Sequence, residues 1–469
     1  MTTVIPRTVP AAPGRVPVLG HSPALLRDPL GFLGSLAGTG ELVEVSLGPR
    51  AVWVVTSPAL VHELLTALAG PCPRGAVQNT LREAFGDGLL MSEGVPHRDR
   101  RRAVRPAFSA ASAGRRIRVV EEVTLERAGR WRPGRVLDVA AEMNRLALEI
   151  VTRALLGVRL RAETADAFHR ALPDLVKGQI ARSLCPRPVF ARLPLPVNRR
   201  FGAAVRALDR VVDEVVAAAP GRAPGGVDSL LSLLRSATDP GTGAPLDDAA
   251  VRSEVITVLG AGTETVSSVL TWFFHELLRA PRVHAEVLAE LAEALGPGDG
   301  HDGGGGLTPA AVGRLVYLRR VLREVLRLHA PNAFLMRTAA RDVRLGPYAV
   351  PAGTELLYSL TALHRDPAHW ADPLAFDPER WAGAAGRELF LPYGAGRHRC
   401  AGEAFAWMEL AVVAAAVLRR WRPVPVSGAR PRELVWTTVQ ARGVAMAVVP
   451  RAAPAAVPSA RRTRAGSTP

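Results

Sequence analysis

The sequence predicts a mainly α-helical protein with a smaller β-rich region, folded as a single domain around one long central helix. Three observations predict it. Apolar residues recur at helical spacing over most of the chain. One such stretch, 247–279, exceeds an average helix and is apolar on nearly every face around Val255–Leu259 and Val269–Leu278, as expected of a helix running through the middle of a large domain. Only two short stretches carry β-type runs broken by glycine and proline.

Residues 1–20 are proline-rich (Pro6, Pro10, Pro13, Pro17) and hold no apolar run of signal-peptide or membrane-spanning length. A soluble, cytoplasmic, monomeric chain without a membrane anchor is expected. Residues 42–56, LVEVSLGPRAVWVVT, place two β-rich runs around Gly48-Pro49-Arg50, a hairpin signal. Residues 342–359, DVRLGPYAVPAGTELLYS, repeat that style, so the two stretches are expected to pair in one modest sheet. Helices are expected over 114–131, 138–156, 203–218, 247–279, 282–294, 309–329 and 402–421, the fourth opening on Asp247-Asp248 at its N-terminus. Residues 296–306, GPGDGHDGGGG, read as a loop, and 452–469 as a disordered basic tail. With no repeat and no linker, the chain divides into an N-terminal segment (1–20), one domain (21–451) and the tail (452–469).

The 469 residues, 48% of them hydrophobic, can bury a large core. A net charge of +16 is almost all arginine, Lys177 being the only lysine. Such a balance suits nucleic acid, anionic lipid or an acidic protein partner. The arginines are scattered apart from 98–105 and the tail, which argues against a nucleic-acid or lipid-binding stripe. Cys72, Cys185 and Cys400 form no CxxC pair, which excludes zinc ribbons and thioredoxin-like sites and fits a reducing compartment.

Residues 390–405 read FLPYGAGRHRCAGEAF: Cys400 sits in a glycine-rich loop leading into an apolar helix. A thiolate there is stabilised by the helix dipole and by backbone N–H groups, while Gly394, Gly396 and Gly402 let the backbone pass close to a flat ligand. This segment resembles the heme-binding loop F-x-x-G-x-[H/R]-x-C-x-G of the cytochrome P450 family. Tyr393 stands where that pattern has phenylalanine, Gly396, His398 and Gly402 occupy its other fixed positions, and Cys400 is the implied iron ligand. Tyr393 departs from the pattern, and its hydroxyl needs a partner.

Further motifs follow in the family's order. Glu93 to Phe108, EGVPHRDRRRAVRPAF, is similar to its H-x-x-x-R helix, with His97 and Arg101 one turn apart. Ala261-Gly262-Thr263-Glu264-Thr265 lies on the long helix. Small residues there leave room beside the heme, Thr265 can open the helix ladder or hold a water, and Glu264 can resupply protons. A dinucleotide-binding turn at Gly260-Ala261-Gly262 is the competing interpretation, but no third glycine follows and the flanks are helical. Glu324 and Arg327 share a helix face, and Arg380 in Asp-Pro-Glu-Arg-Trp is the implied third member of a buried network that fixes the cysteine loop.

The resemblance implies the single triangular cytochrome P450 fold, heme b, and insertion of one oxygen atom from O2 into a C–H bond. His97, Arg101, Arg337 and His398 are the implied propionate partners, with Ala261, Tyr393 and Gly402 against the heme. Glu264 and Thr265 are the implied catalytic acid–alcohol pair. Two electrons are expected from NAD(P)H through a separate ferredoxin and ferredoxin reductase. Leu89, Leu90, Phe334, Leu335 and Trp436 are the expected pocket residues, an apolar lining suited to a hydrocarbon-like substrate. Residues 191–201, ARLPLPVNRRF, are similar to actinobacterial sesquiterpene oxidases and point to a terpene. Hydroxylation of a polyketide or fatty acid, or a peroxide-driven peroxygenase, are the alternatives.

Overall fold

The computed structural model describes residues 7–75, 82–184, 192–218, 222–223, 227–238, 243–296, 306–383, 386–435 and 438–451. The tail, most of the glycine loop at 296–306, Cys185 and Trp436 lie outside them.

The longer helices, in chain order, are α1 (Gly94–Val104), α2 (Ala110–Ala128), α3 (Val139–Ile150), α4 (Ala162–Leu184), α5 (Pro196–Ala217), α6 (Asp248–Arg279), α7 (Pro281–Leu295), α8 (Val316–Leu328) and α9 (Glu403–Arg420). Side-chain caps fix several starts. Ser109 Oγ accepts from Ser112 N at α2, Asp138 from Ala141 N at α3, and Asp247 from Ala250 N at 2.7 Å at α6. The α6 helix has 32 residues and is thus about 48 Å long. Val255, Leu259, Leu270, Phe273 and Phe274 on it are fully enclosed. Residues from α2, α3, α5, α6, α8 and α9 share one apolar core.

The strands of three or more residues are β1 (Leu42–Leu47), β2 (Arg50–Val55), β3 (Val136–Asp138), β4 (Leu335–Thr338), β5 (Val343–Leu345), β6 (Tyr348–Val350), β7 (Glu355–Tyr358), β8 (Trp421–Pro425), β9 (Arg432–Val435), β10 (Val439–Arg442) and β11 (Ala445–Pro450). The main sheet runs β1-β2-β7-β4. Its two sequence stretches do meet, but only through β2 and β7, which pair in parallel with Val52 opposite Glu355. The rest of 342–359 forms a separate β5–β6 hairpin. A second sheet, β8-β11-β3, and the β9–β10 hairpin carried no strong sequence signal.

Three expected helices differ in detail. The 309–329 stretch breaks at Leu315 (ψ 69°) into Pro309–Arg314 and α8. The 138–156 stretch ends in a π-helical segment, Val151–Leu156, stopped by Gly157 in the left-handed region. The α5 helix starts at Pro196, seven residues before its expected start, because a proline at N1 needs no N–H partner.

Candidate functional site

The cysteine loop is shaped by its glycines. Gly396 has φ +66°, and a Cβ there would lie 2.1 Å from the Leu65 carbonyl oxygen. Gly394 has φ +70° but open space around it. A short helical turn, Gly396–His398, then brings Cys400 to the start of α9, where Gly402 is the N-cap. Cys400 N donates to Tyr393 O at 2.9 Å. Burial pushes the Cys400 thiol up, and the Gly402 N–H pulls it down. Cys400 nevertheless has an exposed surface. Both hold only if that surface opens into an internal recess and not into bulk solvent. The Tyr393 hydroxyl, whose need for a partner was evident from the sequence, is buried and finds none among the described residues.

On α6, Ala261 is exposed in the middle of a helix whose flanking turns are buried, so it too faces an internal space. Gly262 faces elsewhere: a Cβ on it would stand 2.8 Å from Val151 Cγ2, in the π segment. Its smallness serves helix packing, and Ala261 alone opens onto the recess. The α6 ladder is unbroken through Thr265. Instead of opening it, Thr265 Oγ1 donates to Ala261 O at 2.6 Å. Glu264 points to β10. Its Oε1 accepts from Thr438 Oγ1 at 2.6 Å and Gln440 Nε2 at 2.5 Å. Burial pushes its carboxyl up, and those two donors pull it down.

Cations gather around Glu93, which the sequence reading passed over. Arg74 Nη1 donates to it at 3.2 Å, His398 Nε2 lies 3.0 Å away, and Arg337 Nη1 lies at 4.0 Å. The His97 and His398 rings stand 4.3 Å apart. Burial lowers His97 to about 4, so this ring is neutral near pH 7. Arg101 is turned to the loop backbone, Nη1 donating to Arg399 O at 2.7 Å. The structure thus brings His97, Arg337 and His398 together and adds Arg74, which carried no sequence signal. Arg337 Nη1 and His398 Nδ1 are buried with no hydrogen-bond partner among the described residues. Buried polar atoms of this kind are costly unless a partner meets them. They fit a cofactor that brings acidic groups to them and a metal to the Cys400 sulfur.

Glu324, Arg327 and Arg380 converge. Glu324 and Arg327 are fully buried. Arg327 Nη2 and Nε reach the two Glu324 oxygens at 2.8 and 2.9 Å, and Arg380 Nε lies 3.4 Å from Oε1. Trp381 Nε1 (2.9 Å) and Asp377 N (3.1 Å) complete the set. Trp381, next to Arg380 in the quoted motif, was the member missed. Arg327 also donates to the carbonyls of His364, Pro373 and Ala375.

The expected pocket residues separate. Leu89 packs on the main core, and its N–H donates to Glu254 Oε1. Leu90 is half-buried. Phe334 packs on the clusters that hold Met336 and Leu357 and, separately, Val439, whereas Leu335 packs with the cluster that holds Ala395 of the cysteine loop. Trp436 lies outside the described residues. A surface depression of about 1020 Å³ lies on the other side of the cysteine loop. Tyr393, Gly394, Ala395, Trp407, Arg319, Arg323 and Arg399 are among its walls, and neither Cys400 nor any α6 residue is. It is therefore separate from the face on which Cys400 and α6 meet.

Comparison with known proteins places this geometry. A family model described as Cytochrome P450 matches residues 10–441. The chain is 38% identical over 429 residues to cyclooctat-9-en-7-ol 5-monooxygenase of Streptomyces melanosporofaciens, covering 90% of this chain and 91% of that protein. It is 32% identical to pentalenene oxygenase of Streptomyces avermitilis, covering 91% and 94%. A crystal structure of the cytochrome P450DA heme domain superposes with TM-score 0.80 at 26% identity, covering 96% of this chain and 99% of that one.

Proposed function

The chain belongs to the cytochrome P450 family and is a monooxygenase, and from that premise we propose that it inserts one atom of O2 into a C–H bond of an apolar terpene or terpenoid. Heme b, when bound through Cys400, supplies the activation of dioxygen, for which a thiolate ligand is suited. The observation that carries this reading is Cys400 itself, exposed at the start of α9 with its sulfur receiving the Gly402 N–H.

The chain's own residues do the rest. Gly402 N–H moderates the electron density on the sulfur. His97, Arg337, His398 and Arg74 are the donors for the cofactor's carboxylates, with Arg101 holding the loop backbone. Tyr393, packed 5.8 Å from Trp407, screens the sulfur from the outer surface. Thr265 spends its proton on Ala261 O and leaves its oxygen free to hold a water beside Ala261. Glu264, one residue before, is the reservoir that resupplies protons from the protein side. The Glu324–Arg327–Arg380 network does no chemistry and fixes the core under the loop. Domain 21–451 is the working unit, a cytoplasmic monomer; no helix among the described residues is long and apolar enough to cross a membrane.

Two electrons come from NAD(P)H through a ferredoxin and its reductase. In the depression Arg399 is paired to Glu403 at 2.6 Å, and Arg319 and Arg323 on its wall suit an acidic iron–sulfur protein. The terpene assignment is supported by what the relatives are named for and by the apolar character of Leu89, Leu90 and Phe334. The test is to titrate the heme-loaded protein with a panel of terpenes and read the spin-state shift of iron. Binders are then turned over with ferredoxin, reductase and NADPH, or with hydrogen peroxide. Oxygenated terpene from the NADPH system supports the reading; turnover by peroxide alone, or selective binding of fatty acids or polyketides, overturns it.

A further inference from the structure

Glu264, Ser268 and Trp272 are spaced four residues apart on α6 and therefore form one stripe along that helix. All three end on the same short strand. Thr438 and Gln440 donate to Glu264 Oε1, Ser268 Oγ donates to Val439 O at 2.6 Å, and Trp272 Nε1 donates to the same carbonyl at 3.1 Å. Gln440 Nε2 also reaches Thr438 Oγ1 at 3.2 Å. The strand cannot slide away: Val439 N donates to Pro331 O, and Val439 is fully buried. Its partner strand β9 is tied from the other side. Glu433 accepts from Arg365 Nη2 at 2.5 Å and lies 3.5 Å from the His329 ring, which stacks on Trp272 at 3.8 Å.

We propose that Thr438 and Gln440 are positioning residues for Glu264: β10 holds the carboxyl by one oxygen and thereby sets both its direction and its readiness to exchange a proton. This rests on the reading of Glu264 as the proton reservoir. Among the described residues no charged side chain pairs with Glu264; the groups that act on it are the Thr438 hydroxyl and the Gln440 amide, against the cost of burial. Two neutral donors stabilise the carboxylate without neutralising it, so the group can both give and regain a proton. A salt bridge in their place would hold it ionised. Oε2 carries no hydrogen bond to a described residue. Loss of a donor weakens the carboxylate form, and Glu264 then holds its proton to higher pH.

The test uses Gln440→Leu and Thr438→Val in the full-length heme-loaded protein, with Thr438→Ser to restore the hydroxyl. The carbonyl stretch of Glu264, identified by its loss in Glu264→Gln, is followed by infrared titration without turnover. Gln440→Leu and Thr438→Val should each raise the titration midpoint by about one pH unit, and Thr438→Ser should return it. Ser268→Ala removes a staple of the same strand without touching Glu264 and should leave the midpoint in place. In turnover, the two shifting variants should also form less product per NADPH consumed. An unmoved midpoint in both, or an equal shift in Ser268→Ala, overturns the positioning role. A moved midpoint with unchanged coupling keeps the positioning role and instead removes Glu264 from proton delivery.

Discussion

Replacing Glu324 by glutamine removes one charge and one acceptor from a site where five donor contacts converge on two oxygens. Oε1 receives Arg327 Nη2, Asp377 N and Arg380 Nε; Oε2 receives Arg327 Nε and Trp381 Nε1. Whichever way the amide is turned, at least two donors meet an NH2 group. Each buried donor left unsatisfied costs about 1–3 kcal/mol, and breaking a buried ion pair by one partner costs about 3–5 kcal/mol. The two routes agree on a loss of about 4 kcal/mol, roughly a thousandfold in the folded-to-unfolded ratio. Urea unfolding of the heme-loaded protein, with heme retained per chain read from the Soret absorbance, measures it. Turnover per bound heme should stay within a fewfold of the parent, because the network touches neither substrate nor the reacting atoms. The Arg320–Glu379 pair at the same turn, with Glu379 58% exposed, is the control: Arg320→Ala should cost under about 1 kcal/mol. Glu324→Gln with unaltered stability and heme content would refute the reasoning.

Gly396→Ala should lose far more bound heme than Gly394→Ala. Both carry the left-handed backbone cost of about 1–2 kcal/mol, but only Gly396 would drive its new methyl into the Leu65 carbonyl; equal losses measured by Soret absorbance would contradict the loop geometry. Glu433 is opposed by burial but held at about 2 by His329 and Arg365. Its folded value lies below its unfolded one, so its contribution is full above the ordinary carboxylate range and is lost as pH falls toward 2. Glu433→Gln should therefore flatten the acid limb of stability against pH, by at most about 1.4 kcal/mol per pH unit. Charge reversal at Arg319 should slow reduction by an acidic ferredoxin in low salt, with the difference shrinking as salt is raised; stopped-flow reduction measures it, and a salt-independent difference would point away from the depression.

Where chemistry depends on residues close in sequence, the sequence was a good guide. The cysteine loop and the Glu324–Arg327 pair each lie within one or two helical turns, so residue type and spacing nearly determine their geometry. Contacts between distant segments were less legible. Arg74 reaches Glu93 from 19 residues away, and nothing local marks it. Gln440 meets Glu264 from 176 residues away, on a four-residue strand whose alternation is too short to signal itself. Gly262 shows the converse error: its smallness was assigned to the heme side, but Val151 in the π-helical segment demands it, and a π turn has no sequence signature comparable to a cap. Pairing of 42–56 with 342–359 was expected, but not that only the end of 342–359 would join, because the Gly346 turn (φ +54°) folds β5 onto β6.

Iron K-edge X-ray absorption on the purified heme-loaded protein and its three single cysteine variants addresses the central assignment most directly. Sulfur should be found bound to iron in the parent, in Cys72→Ser and in Cys185→Ser, and be absent in Cys400→Ser. A sulfur neighbour that persists in Cys400→Ser, or that vanishes when either of the other two thiols is removed, would contradict the account.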